Sequence, residues 1–184
     1  GIHDQSFKFL ILANFIPYKN HKLVIKAAKK LINENENFKV IFIGGGGNKD
    51  YLYDLKNMVR IFNLEEVVIF KNEINQNVYE YIKSADAGIS SSTEEGFSNS
   101  ILEFLYLGVP VIATNVGGNP ELINKSNGFL IDSDSHEQMF NAMKSIIGNK
   151  KRYQYLKRGA KNKSMSFDFT SMVKKYEKVY DKLI

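Results

Sequence analysis

Short runs of apolar and β-branched residues alternate along the chain with longer segments in which apolar residues recur every three or four positions. The short runs predict strands at residues 7–13, 39–43, 67–70, 87–90, 109–113 and 128–131. The longer segments predict helices at about residues 20–35, 49–63, 77–84, 99–107 and 119–123. Three consecutive helices are predicted after the last strand, at about residues 135–148, 150–163 and 169–183.

Strands that alternate with helices are typical of a parallel sheet covered by helices on both faces. The sequence therefore predicts an α/β fold, a Rossmann-like three-layer αβα sandwich with about six parallel strands. Residues 1–184 show no internal repeat, linker or change of composition, so they are predicted to form a single domain. Ligands of such sheets bind beyond the carboxyl ends of the strands, and the loops after residues 13, 43, 70, 90 and 113 should share that rim.

The composition agrees with an ordinary globular chain, since 43% of the residues are hydrophobic, 24% are charged and only three are proline. The absence of cysteine excludes disulfides, thiolate nucleophiles and zinc–thiolate sites. The three histidines are scattered in sequence and predict no metal cluster. Because no apolar run approaches the length of a membrane span, we expect a cytoplasmic protein.

The net charge of +5 is uneven along the chain. From Lys144 onwards there are twelve Lys and Arg residues against Asp168, Glu177 and Asp181. These basic residues are spread round helical turns and are not interleaved with aromatic residues as a base-stacking surface requires, so no nucleic-acid partner is predicted. Solvated helix faces are the favoured interpretation, and peripheral contact with an anionic membrane at its inner, cytoplasmic face is the alternative.

The segment 90–103 is the most informative for function. It leaves a buried strand, passes through a polar turn and enters a helix whose first turn contains Ser98, Asn99 and Ser100. Unpaired amides at a helix start form an anion site suited to phosphate, and Gly96 lets an anion approach the backbone closely. Glu103 lies two helical turns, about 12 Å, beyond Glu95. Two carboxylates so spaced could hold both ends of a nucleoside diphosphate sugar. The plainer alternative is that Glu94 and Glu95 only favour the helix start through its dipole and that Glu103 is an exposed helical residue.

Several ordered motifs resemble glycosyltransferase family 4, the group 1 glycosyltransferases. The resemblance is carried by Glu95-Gly96-Phe97-Ser98 with Leu102-Glu103, by Gly108-Val109-Pro110-Val111-Ile112-Ala113, by Gly117-Gly118 with Pro120-Glu121, and by Asn127-Gly128-Phe129-Leu130. The resemblance implies the carboxyl-terminal, donor-binding half of the two-domain GT-B fold, without the amino-terminal acceptor domain. It also implies sugar transfer from a nucleotide-diphospho-sugar to a glycan or lipid-linked acceptor, with retention of configuration and no metal or other cofactor.

The same resemblance implies the roles of individual residues. Glu95 would contact the transferred sugar and Glu103 the ribose hydroxyls, while the amides of Ser98, Asn99 and Ser100 would hold the diphosphate. The choice of Ser98 and Asn99 after Gly96 and Phe97 is similar to that of enzymes that use UDP-linked sugars.

The loop after the first strand completes the predicted site. The family often places an arginine and a lysine there for the diphosphate; Lys19 matches the lysine, whereas Asn14 stands where the arginine is common. Glu95 and Lys19 are therefore the predicted catalytic residues. The predicted donor-binding residues are Asn14, Gly96, Phe97, Ser98, Asn99, Ser100 and Glu103.

Two other motifs are given structural interpretations. The glycine run at residues 44–47 lacks a distinct dinucleotide spacing and is interpreted as a tight turn. Asp132-Ser133-Asp134 resembles a metal-binding D-x-D motif, yet it directly precedes a predicted helix and offers capping oxygens instead.

Two other functions remain open from the sequence alone. A sugar-nucleotide epimerase has the same two-domain architecture, and a non-catalytic nucleotide-binding module would use the same glycine turns. Since 184 residues leave no room for an acceptor domain, we expect the isolated chain to bind donor weakly and to transfer little or no sugar.

Overall fold

The computed structural model describes residues 5–34, 36–71 and 78–166, together with the single residues 173, 177, 180 and 181. The predicted helix at 169–183 lies largely outside these described residues. No helix in the described ranges has the length and apolar character needed to cross a bilayer.

Six strands and seven α-helices follow one another along the described chain. The strands are β1 (Phe7–Leu12), β2 (Phe38–Ile43), β3 (Val68–Lys71), β4 (Ala87–Ser90), β5 (Val111–Thr114) and β6 (Gly128–Ile131). The helices are α1 (His21–Leu31), α2 (Lys49–Ile61), α3 (Val78–Ser84), α4 (Asn99–Tyr106), α5 (Asn119–Leu122), α6 (His136–Gly148) and α7 (Lys150–Ser164). Short 3₁₀ turns at Pro17–Lys19 and Ile32–Glu34 flank α1.

All six strands join one parallel sheet in the order β3-β2-β1-β4-β5-β6. The predicted Rossmann-like fold is therefore confirmed. From β1 the chain progresses to one edge of the sheet, and from β4 it progresses to the other. The helices after β1 and β4 consequently lie on opposite faces of the sheet. The loops that leave these two central strands share its carboxyl edge, the crevice in which open α/β sheets bind ligands.

Alternating side chains of the central strands pack into separate cores on the two faces of the sheet. Phe9 and Ile11 of β1 join a core formed with α1, α2 and α6, whereas Leu10 joins a core formed with α3, α4 and α5. Helix α7 contributes Leu156 to the first core and Ala160 to the second, because it packs against both α6 and α4. Helices therefore pack against both faces of the sheet and hold the strands from whose carboxyl ends the loops extend.

The fifth strand begins at Val111 and not at residue 109, where the sequence predicted it to start. Pro110 has no amide to donate to a neighbouring strand, so regular pairing starts with the next residue. Gly108 lies two residues beyond the end of α4 and takes a positive φ of 71°, the left-handed conformation that is typical of glycine after a helix.

Candidate functional site

Direct hydrogen bonds join the loop after β1 to the loop after β4 across the crevice. The backbone amide of Thr93 donates to the carbonyl oxygen of Tyr18 at 2.8 Å. The hydroxyl of Ser91 donates to the carbonyl oxygen of Lys19, also at 2.8 Å. These bonds hold the 3₁₀ turn that carries Lys19 against the loop that carries Glu95.

Lys19 and Glu95, the two predicted catalytic residues, are in direct contact. The Nζ atom of Lys19 lies 2.7 Å from Oε2 of Glu95, and the two side chains are 19% and 15% exposed. The hydroxyl of Ser92 donates to the same carboxylate oxygen at 2.9 Å. Because solvent screens this pair only partly, the contact fixes a cation and a carboxylate at the point where the central strands end.

The Glu95 loop is supported from the neighbouring strand by buried polar side chains. The hydroxyl of Thr114, at the end of β5, donates to the carbonyl oxygen of Ser92 at 2.6 Å. The side-chain amide of Asn119 donates in turn to the carbonyl oxygen of Thr114 at 3.0 Å. Ser92, Thr114 and Asn119 were not predicted as site residues. Thr114 ends β5, Ser92 follows β4 by two residues and Asn119 begins α5, and these positions have no distinctive pattern in the sequence.

The second glycine turn supports the Glu95 loop by close backbone packing. Gly117 has a φ of 50°, and a Cβ atom there would lie 1.5 Å from the carbonyl oxygen of Glu95. The amide of Gly118 donates to the carbonyl oxygen of Gly96 at 2.8 Å. A Cβ atom on Gly96 itself would meet nothing within 4 Å, so its outer side is open to a ligand.

The start of α4 faces the same rim. Ser98 is the N-cap residue and not part of the first turn, and its buried hydroxyl accepts a long hydrogen bond from the amide of Ile101 and lies 3.1 Å from the hydroxyl of Ser100. The Ser98 side chain is therefore occupied in capping the helix. The amides of the first turn, at Asn99 and Ser100, have no partner within the helix, and such an arrangement favours negative charge at the helix start.

Phe97 and Asn14 lie in the two loops that carry the ion pair of Glu95 and Lys19. Phe97 is 45% exposed, and its ring lies so close to Gly118 that a Cβ atom there would be 2.9 Å away. Asn14 is exposed in the loop after β1, and its short side-chain amide carries no charge. The predicted site thus has one basic side chain, Lys19, in contact with Glu95.

Glu103 lies in a separate groove on the side of α4. The groove has a volume of about 260 Å³ and is lined by Tyr79, Leu102, Glu103, Tyr106 and Ser164. Burial raises the pKa of Glu103 above its usual value. Two aromatic residues beside a partly buried carboxylate suit a ligand that carries hydroxyl groups on a flat or ring-shaped body.

The glycine run after β2, interpreted from the sequence as a tight turn, packs against the first loop and forms an isolated β-bridge with it between Gly47 and Phe15. A Cβ atom on Gly44 would lie 2.3 Å from the carbonyl oxygen of Ala13, and one on Gly47, which has a φ of 133°, would lie 2.4 Å from that of Phe15. The amide of Phe15 donates to the carbonyl oxygen of Gly46 at 2.9 Å. Both central loops are therefore supported by a glycine turn from an adjacent strand.

The acidic turn after β6 caps α6. The carboxylate of Asp132 accepts a hydrogen bond from the side-chain amide of Gln138 at 2.7 Å, and the hydroxyl of Ser135 accepts one from the backbone amide of Gln138. Within the described ranges, no three His, Asp or Glu side chains lie close enough together to hold a metal ion.

A buried histidine links the first loop to the core. His21, the first residue of α1, is fully buried beside the rings of Phe15, Phe42 and Tyr51, at centroid distances of 5.2, 5.2 and 5.9 Å. Burial lowers the pKa of His21 to about 4; the nearby charge of Lys19 lowers it further, while the Ala13 backbone opposes the shift. The histidine is therefore neutral in the folded chain at physiological pH.

Acidification should destabilise the fold through this histidine. The unfolded chain takes up the proton near pH 6.5 but the folded chain only near pH 4, so stability should be lost as the pH falls through this window, by about 2 kcal/mol between pH 7 and pH 5. His21→Phe, which preserves a ring among the aromatic neighbours, should remove this loss. Urea denaturation at the two pH values measures it, with His136→Phe as the control. An unchanged pH dependence in His21→Phe would contradict the prediction.

Comparison with known proteins identifies the family to which this chain belongs and agrees with its fold. The model of the family "Glycosyl transferases group 1" matches residues 1–163. The chain is 31% identical over 152 residues to the Campylobacter jejuni N-acetylgalactosamine-N,N'-diacetylbacillosaminyl-diphospho-undecaprenol 4-alpha-N-acetylgalactosaminyltransferase, a match that covers 82% of this chain and 40% of that enzyme.

Solved structures agree with the fold. Anabaena HepE in complex with UDP matches with a TM-score of 0.83 and 22% identity, over 96% of this chain and 49% of HepE. The C-terminal domain of the group 1 glycosyl transferase LpcC from Francisella tularensis matches with a TM-score of 0.78 and 21% identity, over 87% of this chain and 85% of that domain. This chain thus spans less than half of the Campylobacter enzyme and about half of HepE.

Proposed function

Because this chain belongs to the group 1 glycosyl transferase family, we propose that it is the donor-binding half of a GT-B enzyme that transfers sugar from a UDP-linked donor. The transfer would retain the anomeric configuration and need no catalytic metal. The acceptor would be a glycan or a lipid-linked glycan at the cytoplasmic face of a membrane.

The observation that carries this proposal is the contact between Lys19 and Glu95 across the central crevice. A diphosphate bound at the start of α4 would compete for the Lys19 ammonium, which now neutralises Glu95. When Lys19 turns to the phosphates, the Glu95 oxygen becomes free to accept hydrogen bonds from hydroxyls of the sugar. Ser92 would keep the carboxylate in place during this exchange, because its hydroxyl donates to the same oxygen.

The arrangement suits a reaction in which negative charge grows on a leaving diphosphate. As the bond from the anomeric carbon to the diphosphate oxygen breaks, the electron pair stays with the phosphate. Lys19 and the amides of Asn99 and Ser100 would stabilise that charge with fixed dipoles and one cation. In this proposal no divalent metal is required, because these groups take its electrostatic role.

Glu103 and its groove would hold the nucleoside. A carboxylate that accepts hydrogen bonds from two ribose hydroxyls distinguishes a nucleotide from a simple phosphate. Its raised pKa means that nucleotide binding should weaken when the pH falls far enough to protonate it. The choice of UDP is supported by the complex of HepE with UDP, and that of a lipid-linked acceptor by the diphospho-undecaprenol in the name of the Campylobacter enzyme.

The proposed enzyme also needs a second domain. The chain covers 40% of the Campylobacter enzyme and 49% of HepE, so a second domain that binds the acceptor would complete the active site. We therefore propose that residues 1–184 alone bind donor weakly and transfer little or no sugar.

Titration calorimetry with UDP, GDP, ADP and their common sugar conjugates tests the proposed function. UDP and its conjugates should bind most tightly, and Glu103→Ala should weaken them roughly tenfold through the loss of charge-assisted hydrogen bonds. Glu94→Ala, which removes an exposed carboxylate from the same rim, is the matched control and should have little effect. If no nucleotide binds, or if Glu103→Ala binds every nucleotide as tightly as the unchanged chain, the assignment is wrong.

A further inference from the structure

The positive charge of the protein is concentrated in one helix. The chain has 25 Lys and Arg residues against 20 Asp and Glu residues, and α7 contains seven of the basic residues and no acidic one. Outside α7 the chain therefore has 18 basic and 20 acidic residues. The excess of positive charge is thus a property of α7.

Four of these basic side chains point outward together. Leu156 and Ala160 of α7 are buried, and Arg152 and Lys157 lie over the rings of Phe129 and Tyr153. The exposed basic residues that fall on the opposite side of the helix by its periodicity are Lys150, Lys151, Arg158 and Lys161. Among the described residues, none of these four forms an ion pair with an acidic side chain. We call this surface the basic face.

Two apolar side chains accompany the basic face. Tyr155 is 51% exposed and Met165, directly after the helix, is 68% exposed. Exposed aromatic and apolar side chains among Lys and Arg residues are typical of surfaces that lie at the headgroup level of a membrane. Each basic residue near an anionic lipid surface contributes roughly fivefold to the binding constant.

A groove beside the basic face is large enough to hold a lipid phosphate headgroup. It has a volume of about 790 Å³ and is lined by Ser126, Tyr155, Arg158, Gly159, Asn162, Lys163 and Ser166. Its base is rigid, because a Cβ atom on Gly159 would lie 1.8 Å from the carbonyl oxygen of Ser126. The backbone of α7 therefore rests directly on the turn before β6.

The shape of the basic face favours a membrane over a nucleic acid. Helix α7 lies flat on α4 and α6 along its length of about 22 Å, so it does not protrude far enough to enter a groove of a duplex. A flat helix is suited to a planar surface. At its carboxyl end, Ser164 lines the Glu103 groove while Lys163 and Ser166 line the groove beside the basic face, so the two grooves adjoin.

We propose that the basic face of α7 binds an anionic lipid bilayer and so places the Glu103 side of the domain next to the membrane surface. The proposal agrees with a lipid-linked acceptor but does not depend on it, since the charge and shape of α7 carry it alone. Its failure would leave nucleotide binding at the crevice untouched.

Co-sedimentation of the 184-residue chain with phosphatidylcholine vesicles, with and without phosphatidylglycerol, tests the proposal. Binding should require phosphatidylglycerol and should weaken as salt is added. The combined change of Lys150, Lys151, Arg158 and Lys161 to Gln should weaken vesicle binding at least about tenfold. The control removes the same charge from the exposed residues of α1 and α2, by changing Lys26, Lys49, Lys56 and Arg60 to Gln, and should retain binding.

Three results would overturn the proposal. The first is no binding to anionic vesicles at low ionic strength. The second is an equal loss of binding in the control variant, which would show a general effect of net charge. The third is tighter binding to a short oligonucleotide duplex than to the vesicles, which would assign the basic face to nucleic acid. Circular dichroism of both variants confirms that a loss of binding reflects the surface and not unfolding.

Discussion

Gly117→Ala is expected to lower the free energy of unfolding by about 4 kcal/mol. The alanine would have to adopt a left-handed backbone conformation, and its Cβ atom would overlap the backbone of Glu95. Gly117 has a φ of 50°, and the new Cβ atom would lie 1.5 Å from the carbonyl oxygen of Glu95. Backbone atoms cannot move aside as a flexible side chain can, so the Glu95 loop would have to shift. Urea denaturation followed by circular dichroism measures the change.

Gly96→Ala is the matched control for this experiment. A Cβ atom on Gly96 would meet nothing within 4 Å, so the fold should keep nearly its full stability. Nucleotide binding should nevertheless weaken, because the methyl group would occupy the open side of the loop. Equal losses of stability in the two variants would show that the second glycine turn does not support the Glu95 loop in the way described.

Lys19→Ala is expected to weaken the binding of UDP roughly 10- to 150-fold, which corresponds to the loss of about 1.5–3 kcal/mol from a hydrogen bond to a charged group. Lys19 is the basic side chain in contact with Glu95, and Asn14 cannot replace it with a second positive charge. Its loss would also leave Glu95 without its cation, so an uncompensated carboxylate would repel the diphosphate. Calorimetry with UDP measures the effect.

Two further variants separate this explanation from a general loss of charge. Lys22→Ala removes a half-exposed lysine three residues away, whose Nζ lies 3.8 Å from Asp54, and should change UDP binding little. Glu95→Gln should leave UDP binding intact or strengthen it, because Lys19 becomes free for the phosphates. The assignment of Lys19 would be wrong if Lys22→Ala reduced the affinity as strongly as Lys19→Ala.

The fold was predictable because its determinants are local. Each strand is a short, mainly apolar run, and several connections carry a residue whose backbone preference is known, such as Gly108 after α4. The sequence predicted a Rossmann-like sheet but not the order of its strands, since the pairing of β1 with β4 joins segments nearly 80 residues apart. The start of β5 was misplaced because the apolar run continues through Pro110, whose missing amide matters only once pairing is known.

The candidate site was predictable in part. The motif around Glu95 and the position of Lys19 could be read from the sequence, but their direct contact depends on the meeting of two loops from adjacent strands. Ser92, Thr114 and Asn119 were missed because their function is to hold other groups, and a buried hydroxyl has no distinctive pattern in sequence. The roles of the two glycine turns likewise depend on which backbone lies opposite each of them.

The hydrogen bonds between the loops after β1 and β4 imply that neither loop can open by itself. Opening either one breaks the bonds from Thr93 to Tyr18 and from Ser91 to Lys19, together with the Lys19–Glu95 contact. The amide of Thr93 should therefore exchange its hydrogen for deuterium at a rate set by the joint opening of both loops. Ligand-dependent slowing of exchange should extend to both loops at once, whichever of them the nucleotide touches first.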